Sequence, residues 1–381
     1  MLSLTIVKEF EALERRRADW LDLLSRAHGA SPSLWPSWLL SWWQVFGDEG
    51  GRSLRVGLLY KRGRLVALAP FLSRSHRYRL SLPFRRLELL GSGEQESDEI
   101  CSDYLGIVAE AGLEAEVCER LASALVRGDF GAWDEIVMPS MDGRSPIPVL
   151  LQSELARLGF PADCSESGSC PYIPLPETWE AYLAALPASA RYLVKRSLRD
   201  LEAWAAGTVS LEAVERREDL ERGTAILKAL HEERWRGEGK QGVFSSRRFE
   251  RFHQAVMPEL WERGALDLIW LSVRNEPIAA LYNIVADGTV YFYQSGRRLD
   301  LPKRIRPGIV LHAHAIQRAI AAGLREYDFL AGTARYKMEL SLATRPLVTL
   351  RATRASWVET AREWTDGGIG AVRALRSALR A

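Results

Sequence analysis

The sequence predicts an α/β chain with mixed sheets, built as two lobes of similar plan. Three observations carry this. At 381 residues the chain exceeds what one hydrophobic core usually organises, and two domains of about 150 to 200 residues are expected. In both halves, runs rich in β-branched and aromatic residues alternate with runs of helical periodicity. Residues 159–176, GFPADCSESGSCPYIPLP, are dense in turn formers and mark the expected boundary. The expected domains are 1–165 and 166–353, followed by a basic helical tail at 354–381.

In the first half, LTIVKEF predicts an opening strand. Leu13, Trp20, Leu21 and Leu24 form a helical stripe over 12–27. Pro36 opens a second helix that runs through Phe46 and stops at Gly47. Strands over 54–60 and 65–72 join at a turn holding Gly63, a hairpin signal. Strands are expected at 86–90 and 104–108, around an acidic loop with Glu94, Glu96, Asp98, Glu99 and Asp103. A helix at 113–127, a strand at 133–138 and a helix at 147–158 close the lobe. The second half repeats the plan. A strand at 172–175 leads to helices over 177–186 and 188–206, a strand at 209–214, and helices over 218–236 and 247–262. Strands at 266–273, 278–285 and 290–294 form a meander with turns at Asn275–Pro277 and Asp287-Gly288. A helix over 307–320, a strand at 326–330, a helix starting near Tyr336 and a strand at 347–351 finish it.

Composition excludes several classes. With 51 basic and 49 acidic residues the net charge is +2, so the global basic field of a DNA-binding protein is missing and any basic patch is local. Cys101, Cys118, Cys164 and Cys170 form no Cys-x-x-Cys pair, which predicts free thiols and no metal. His312 and His314, two apart on a helix, point to different faces. Trp35, Trp38, Trp42 and Trp43 read as packing aromatics. The N-terminus lacks the apolar core of a signal peptide, and no apolar run approaches membrane-spanning length. A cytoplasmic protein is expected, of no particular oligomeric state. In the tail, Arg373, Arg376 and Arg380 recur at helical spacing, a surface helix with at most weak membrane-surface contact.

The chemistry concentrates between Thr289 and Lys337. A strand is followed by a loop with Arg297, Arg298, Lys303, Arg304 and Arg306 against one acid, Asp300, and then by a helix opened by Pro307. A helix start preceded by cations suits a phosphate, and Gly308 permits close backbone approach. A solvated basic loop is the plain alternative. Arg191, Lys195, Arg196 and Arg199 share one face of another helix, fit either for an anionic ligand or for water.

Together with SARYLVKRSLRDLEA (189–203), LHEERW (230–235), YFYQSG (291–296), PGIVLHAHAIQRAI (307–320) and YDFLAGTARYK (327–337), this stretch resembles the acyl-CoA-binding core of GNAT-type N-acetyltransferases. More narrowly, it resembles the CelD-type acetyltransferases of bacterial polysaccharide loci, relatives of the Fem-type peptidoglycan aminoacyltransferases. The resemblance implies two tandem GNAT-like lobes, the second binding acetyl-CoA or another acyl-CoA, with no metal. The strand before the basic loop and the strand after the helix would splay around the pantetheine arm. Phe292, Gln294, Arg297, Arg298, Lys303, Arg304, Arg306 and Gly308 are then expected to bind the donor. Arg191, Lys195, Arg196, Trp235 and Lys337 are expected to bind the acceptor. Tyr336 would protonate the departing thiolate, and Asp328, Glu326 or Asp103 would serve as base. An acid is expected soon after Gly332, where this chain has Thr333-Ala334. The implied function is acyl transfer to an amine or hydroxyl of a sugar nucleotide or cell-envelope or polysaccharide precursor, in a cleft between lobes. The alternatives are a tRNA-dependent Fem-type transferase, disfavoured by the missing heptad stretch, and a non-catalytic scaffold that kept the fold.

Overall fold

The computed structural model of the chain describes residues 2–78, 82–237, 239–355, 359–360 and 362. They form two compact units: one of residues up to 93, 102–167 and from 347, the other of 94–101 and 168–346. The fold class is α/β with mixed sheets, as expected. The tail arginines Arg373, Arg376 and Arg380 lie outside the described residues. Among the described residues no helix is long and apolar enough to cross a membrane.

In the first unit, β1 (Ser3–Val7) leads to α1 (Phe10–Glu14) and α2 (Arg17–Arg26). The single helix expected over 12–27 breaks at Arg16, whose ψ of 6° leaves the helical well. The helix α3 (Pro36–Phe46) starts on proline, as read, and buries Trp38 and Trp42. A hairpin joins β2 (Ser53–Lys61) to β3 (Arg64–Arg77) through Arg62 and Gly63, both at positive φ, the primed turn that matches strand twist. There follow β4 (Pro83–Leu89), β5 (Val108–Ala109), α4 (Glu114–Arg127), β6 (Glu135–Asp142) and α5 (Ile147–Arg157). After β7 (Ala162–Pro174), this sheet is completed by β13 (Ala343–Thr353), in the order β1-β2-β3-β4-β6-β13.

The strands β4 and β6 are parallel, with α4 as their crossover, and pair only over Arg86–Glu88 and Glu135–Val137. Past that register the chain fills the slot itself. Val108–Ala109 pairs with Ala67–Leu68 of β3, and the Leu105 N–H donates to Ser140 O at 3.0 Å. The strand expected over 104–108 shrinks to two residues because Cys101 and Tyr104 hold φ of 52° and 60°, incompatible with a ladder.

The second unit contains α6 (Trp179–Ala185), α7 (Ala188–Ala205), β8 (Val209–Ala213), α8 (Asp219–Gly237), α9 (Arg247–Glu262), β9 (Leu266–Val273), β10 (Glu276–Ala286), β11 (Thr289–Arg297), α10 (Pro307–Ala321), β12 (Glu326–Asp328) and α11 (Arg335–Leu340). Its sheet runs β7-β12-β11-β10-β9-β8. The two meander turns are primed: Arg274-Asn275 and Asp287-Gly288 all have positive φ. The turn-rich stretch 159–176 instead holds the whole of β7, where pairing of Tyr172–Pro174 with β12 outweighs the weak strand propensity of Ser and Gly. Tyr182, Val194, Leu271, Phe292, Leu311, Ile316 and Tyr327 belong to one buried core cluster of this unit.

The strand β12 runs parallel to β11 for three residue pairs only, Thr289–Tyr291 against Glu326–Asp328. It stops because Leu330 turns to φ 55° and its N–H is capped by Asp328 Oδ1 at 2.7 Å. Arg345 holds this end. It is 5% exposed, pairs with Glu326 and with Asp328 Oδ2 (3.4 Å), and lies 4.0 Å over the Tyr172 ring. Arg345→Leu takes the cation away from the buried Asp328 carboxylate, and denaturant unfolding should show a loss of about 3–5 kcal/mol. A loss below about 1 kcal/mol, the worth of a surface pair, would mean that the strand end does not depend on this ion pair.

Candidate active site

Past Tyr291 the edge of β11 that faced β12 has no strand partner among the described residues. Buried backbone donors and acceptors on such an edge need partners from elsewhere. A bulge sharpens the departure: Tyr282 faces Gln294 while Asn283 faces Phe292, so Tyr293 is the extra residue. At this place opens a cavity of about 490 Å³. Its walls are the end of β11 (Ser295, Gly296, Arg297) and residues 279–281 of β10, Lys303 and the helix start from Ile305 to Ile309, and Arg234, His312, Arg335, Tyr336 and Glu339.

The cavity is cationic. Arg297, Lys303 and Arg306, expected from the sequence, line it, and Arg234 and Arg335 join them. Lys303 and Arg306 make no ion pair among the described residues. The acid on the wall, Glu339, is bound by Arg335 at 2.7 Å. Arg298 is turned elsewhere, to Asp300 and to Glu276 at 2.6 Å, and Arg304 is exposed outside the lining. The start of α10 completes the field. Pro307 has no N–H, the first intrahelical bond is Val310 N–H to Arg306 O at 3.2 Å, and so the N–H groups of Gly308 and Ile309 have no helical acceptor. The first turn holds no acid and no side chain caps it, which leaves the positive end of the dipole to an outside anion.

Tyr336 lines the cavity wall, stacked on His312 at 5.4 Å. Burial pushes its hydroxyl up to about 12, so it stays protonated at neutral pH. His312 accepts from or donates to Tyr327 OH through Nδ1 at 3.0 Å, and burial, then Lys337 and Arg234, push it down to about 3. Phe292 is buried edge-on against His312 and Tyr336 and does not line the cavity. Lys337 donates through Nζ to Phe329 O at 2.7 Å and Ala331 O at 2.6 Å. An ammonium on carbonyls thus ties the loop at Thr333-Ala334, where an acid was expected.

The other candidates stand apart from the cavity. Asp328 is fully buried and engaged by Arg345 and the Leu330 N–H. Asp103 belongs to the first unit, 7% exposed. On α7, Arg196 pairs with Asp200 at 3.2 Å, Lys195 is exposed and Arg191 half-buried. Trp235 donates through Nε1 to His231 Nε2 at 2.9 Å, and Gln294 lies half-buried beside the bulge. Among the described residues no group of three His, Cys, Asp or Glu could hold a metal ion. Of the wall residues that sequence reasoning gave no role, Arg335 and Glu339 carried a signal: their i, i+4 spacing brackets Tyr336 on one short helix.

Residues 188–338, which hold this cavity but for Glu339, match the family model of the acetyltransferase (GNAT) domain. No curated protein is similar enough in sequence to count as a relative. Among the solved structures that share the fold are three at 11% identity each. FemX aligns with a TM-score of 0.59 over 90% of this chain and 96% of its own. A conserved protein of unknown function from Bacteroides thetaiotaomicron aligns at 0.54, over 93% and 100%. The C-terminal (DUF2156) domain of a putative lysylphosphatidylglycerol synthetase from Agrobacterium fabrum aligns at 0.52, over 91% and 95%. At these identities the likeness is one of fold. The second unit has a GNAT-like fold.

Proposed function

We propose that the second unit takes an acyl-CoA, acetyl-CoA first among them, and passes its acyl group to an amine or, less readily, a hydroxyl. What supports this most is a coincidence of place: an open strand edge, a free helix N-terminus and a cationic cavity meet at one point. The N–H groups of Gly308 and Ile309, with Lys303 and Arg306, would hold the diphosphate. The pantetheine amides would pair with β11 as an added strand does. Backbone N–H groups of residues 290–294 would polarise the thioester carbonyl. The first unit has its equivalent slot filled by residues 105–109 and carries Glu114 and Glu116 in the first turn of α4, so one donor per chain is proposed.

The acceptor nitrogen attacks the thioester carbon, a C–N bond forms, and the C–S bond breaks. Magnitudes decide the part of Tyr336. A hydroxyl at about 12 is weaker as an acid than a thiol near 8.5 by some three units, on the order of 4–5 kcal/mol. Full transfer to the sulfur is uphill. Tyr336 therefore donates a hydrogen bond as charge gathers on sulfur, and the proton that ends there is the one the amine gives up, relayed through water. The acceptor is proposed to be a sugar nucleotide or polysaccharide precursor, on the CelD-type resemblance carried together by residues 189–203, 230–235, 291–296, 307–320 and 327–337. A CoA-dependent reaction fits a cytoplasmic site.

Acetyl-CoA at 100 times its dissociation constant should stabilise the protein by about 2.7 kcal/mol, seen as a rise in Tm. Calorimetry should give one site per chain. Lys303→Ala with Arg306→Ala should weaken binding at least tenfold, and Arg298→Ala with Arg304→Ala less than threefold. No shift with acetyl-CoA or longer acyl-CoA overturns the reading. Tyr336→Phe should slow thiol release about 10- to 100-fold, the worth of a hydrogen bond to a charged group, with donor affinity held within twofold. Equal loss of affinity and rate would make Tyr336 a packing residue.

A further inference from the structure

His312 is a polar side chain on the cavity wall to which the proposed reaction gives no task. It stands on α10 four residues after Gly308, one helical turn below the tip and on the same face. Two rings fix its place relative to the strands. Phe292 is the first residue of β11 past the last β11–β12 pair, and Phe329 is the first past the end of β12. The His312 ring meets both, at 4.6 and 5.5 Å between centroids. It therefore sits where the strands part, and it lines the cavity although only 2% of the residue is exposed.

An imidazole buried among Phe292, Phe329 and Tyr336 costs free energy that a phenylalanine in the same space would not, unless both its nitrogens find partners. Nδ1 has one, the Tyr327 hydroxyl at 3.0 Å. Nε2, on the edge of the ring turned away from Tyr327, has no hydrogen-bond partner among the described residues. It is not sealed off from solvent either, so this edge is the one open to the cavity.

The tautomer is assigned from Tyr327. That hydroxyl is fully buried, and among the described residues its only hydrogen-bond partner is Nδ1. If it accepted from Nδ1, its own proton would be stranded in the core. Tyr327 therefore donates, Nδ1 accepts, and the ring proton sits on Nε2. Burial, then the Lys337 and Arg234 charges, push His312 down to about 3, so the ring is neutral and carries a single N–H.

We propose that His312 binds the acyl donor: its Nε2–H donates a hydrogen bond to a carbonyl oxygen of the donor, on the pantetheine arm or the thioester, where the arm passes between β11 and β12. The contact rests on the second unit taking an acyl-CoA, and the test separates the two claims.

Calorimetry with acetyl-CoA, CoA and 3′-phospho-ADP, the nucleotide end of CoA without the arm, tests the contact on two substitutions. Asn places its amide near Nδ1 and keeps a partner for Tyr327, whereas Gln places its amide near Nε2. His312→Asn should weaken acetyl-CoA about 3- to 10-fold, the worth of one hydrogen bond, and His312→Gln less than twofold. Both should hold 3′-phospho-ADP as the wild type does, which also shows that they are folded. A loss shared by CoA assigns the bond to an amide of the arm, and a loss confined to acetyl-CoA assigns it to the thioester. Unchanged acetyl-CoA affinity in His312→Asn, or an equal loss of 3′-phospho-ADP, overturns the proposal. 15N NMR of the wild-type histidine rings needs no variant to fold. His312 should be the Nε2–H tautomer, and that proton should move downfield with acetyl-CoA; an Nδ1–H tautomer overturns the proposal. If the wild type binds neither acetyl-CoA nor 3′-phospho-ADP, the donor reading fails and the contact falls with it. If it binds acetyl-CoA while His312 is indifferent, the donor reading stands and the contact alone fails.

Discussion

Pairing between β11 and β12 lasts three residues and then stops, and the rest of the site follows from that stop. Inside a folded chain an open edge is costly, since each unmet N–H or C=O forfeits its hydrogen bonds to water. The sequence nevertheless enforces it twice. Asp328 caps the Leu330 N–H and turns β12 away, with Arg345 neutralising the buried acid, and the bulge at Tyr293 bends β11 in its own direction. Topology then does the rest. A helix that crosses over between two parallel strands starts at the carboxyl end of the first, so the free N-terminus of α10 opens beside the free edge of β11. The proposed ligand, with amides in its arm and phosphates at its end, would meet both.

The first unit shows what the same topology does without that use. There β4, α4 and β6 form an equivalent crossover with an equally short parallel register. An acid again opens the second strand, here a buried one: Glu135 is bound by Arg86 at 2.7 Å, Tyr78 at 2.8 Å and Arg351 at 2.9 Å, as Glu326 and Asp328 are bound by Arg345. The slot beyond is closed by residues 105–109, and the following helix starts with two glutamates where α10 has none. One plan thus yields a filled slot in one unit and an open one in the other.

Much of this was legible because it is local. Primed turns at Gly63 and Asp287-Gly288, the proline at the start of α3 and of α10, and the cations before Pro307 depend on residues a few positions apart. What depended on distant partners was not. Arg298 reads like Arg306 in the sequence, yet Glu276 and Asp300 claim it, while Arg234 and Arg335 arrive from other elements. The acidic loop reads as part of the first half. Residues 94–101 nevertheless belong to the second unit, where Ile100 O accepts from Tyr293 OH at 2.6 Å and Asp98 from Ser246 at 2.7 Å. The bulge left no mark in composition, because one extra residue in a strand changes register and not residue type.

A crystal structure of the chain with acetyl-CoA bound is the most direct measurement. The diphosphate should lie about 3 Å from the N–H groups of Gly308 and Ile309, with the pantetheine amides hydrogen-bonded to β11 beyond Tyr291. Acetyl-CoA seated elsewhere, or β11 and β12 paired along their length with the helix tip facing only water, would contradict the account.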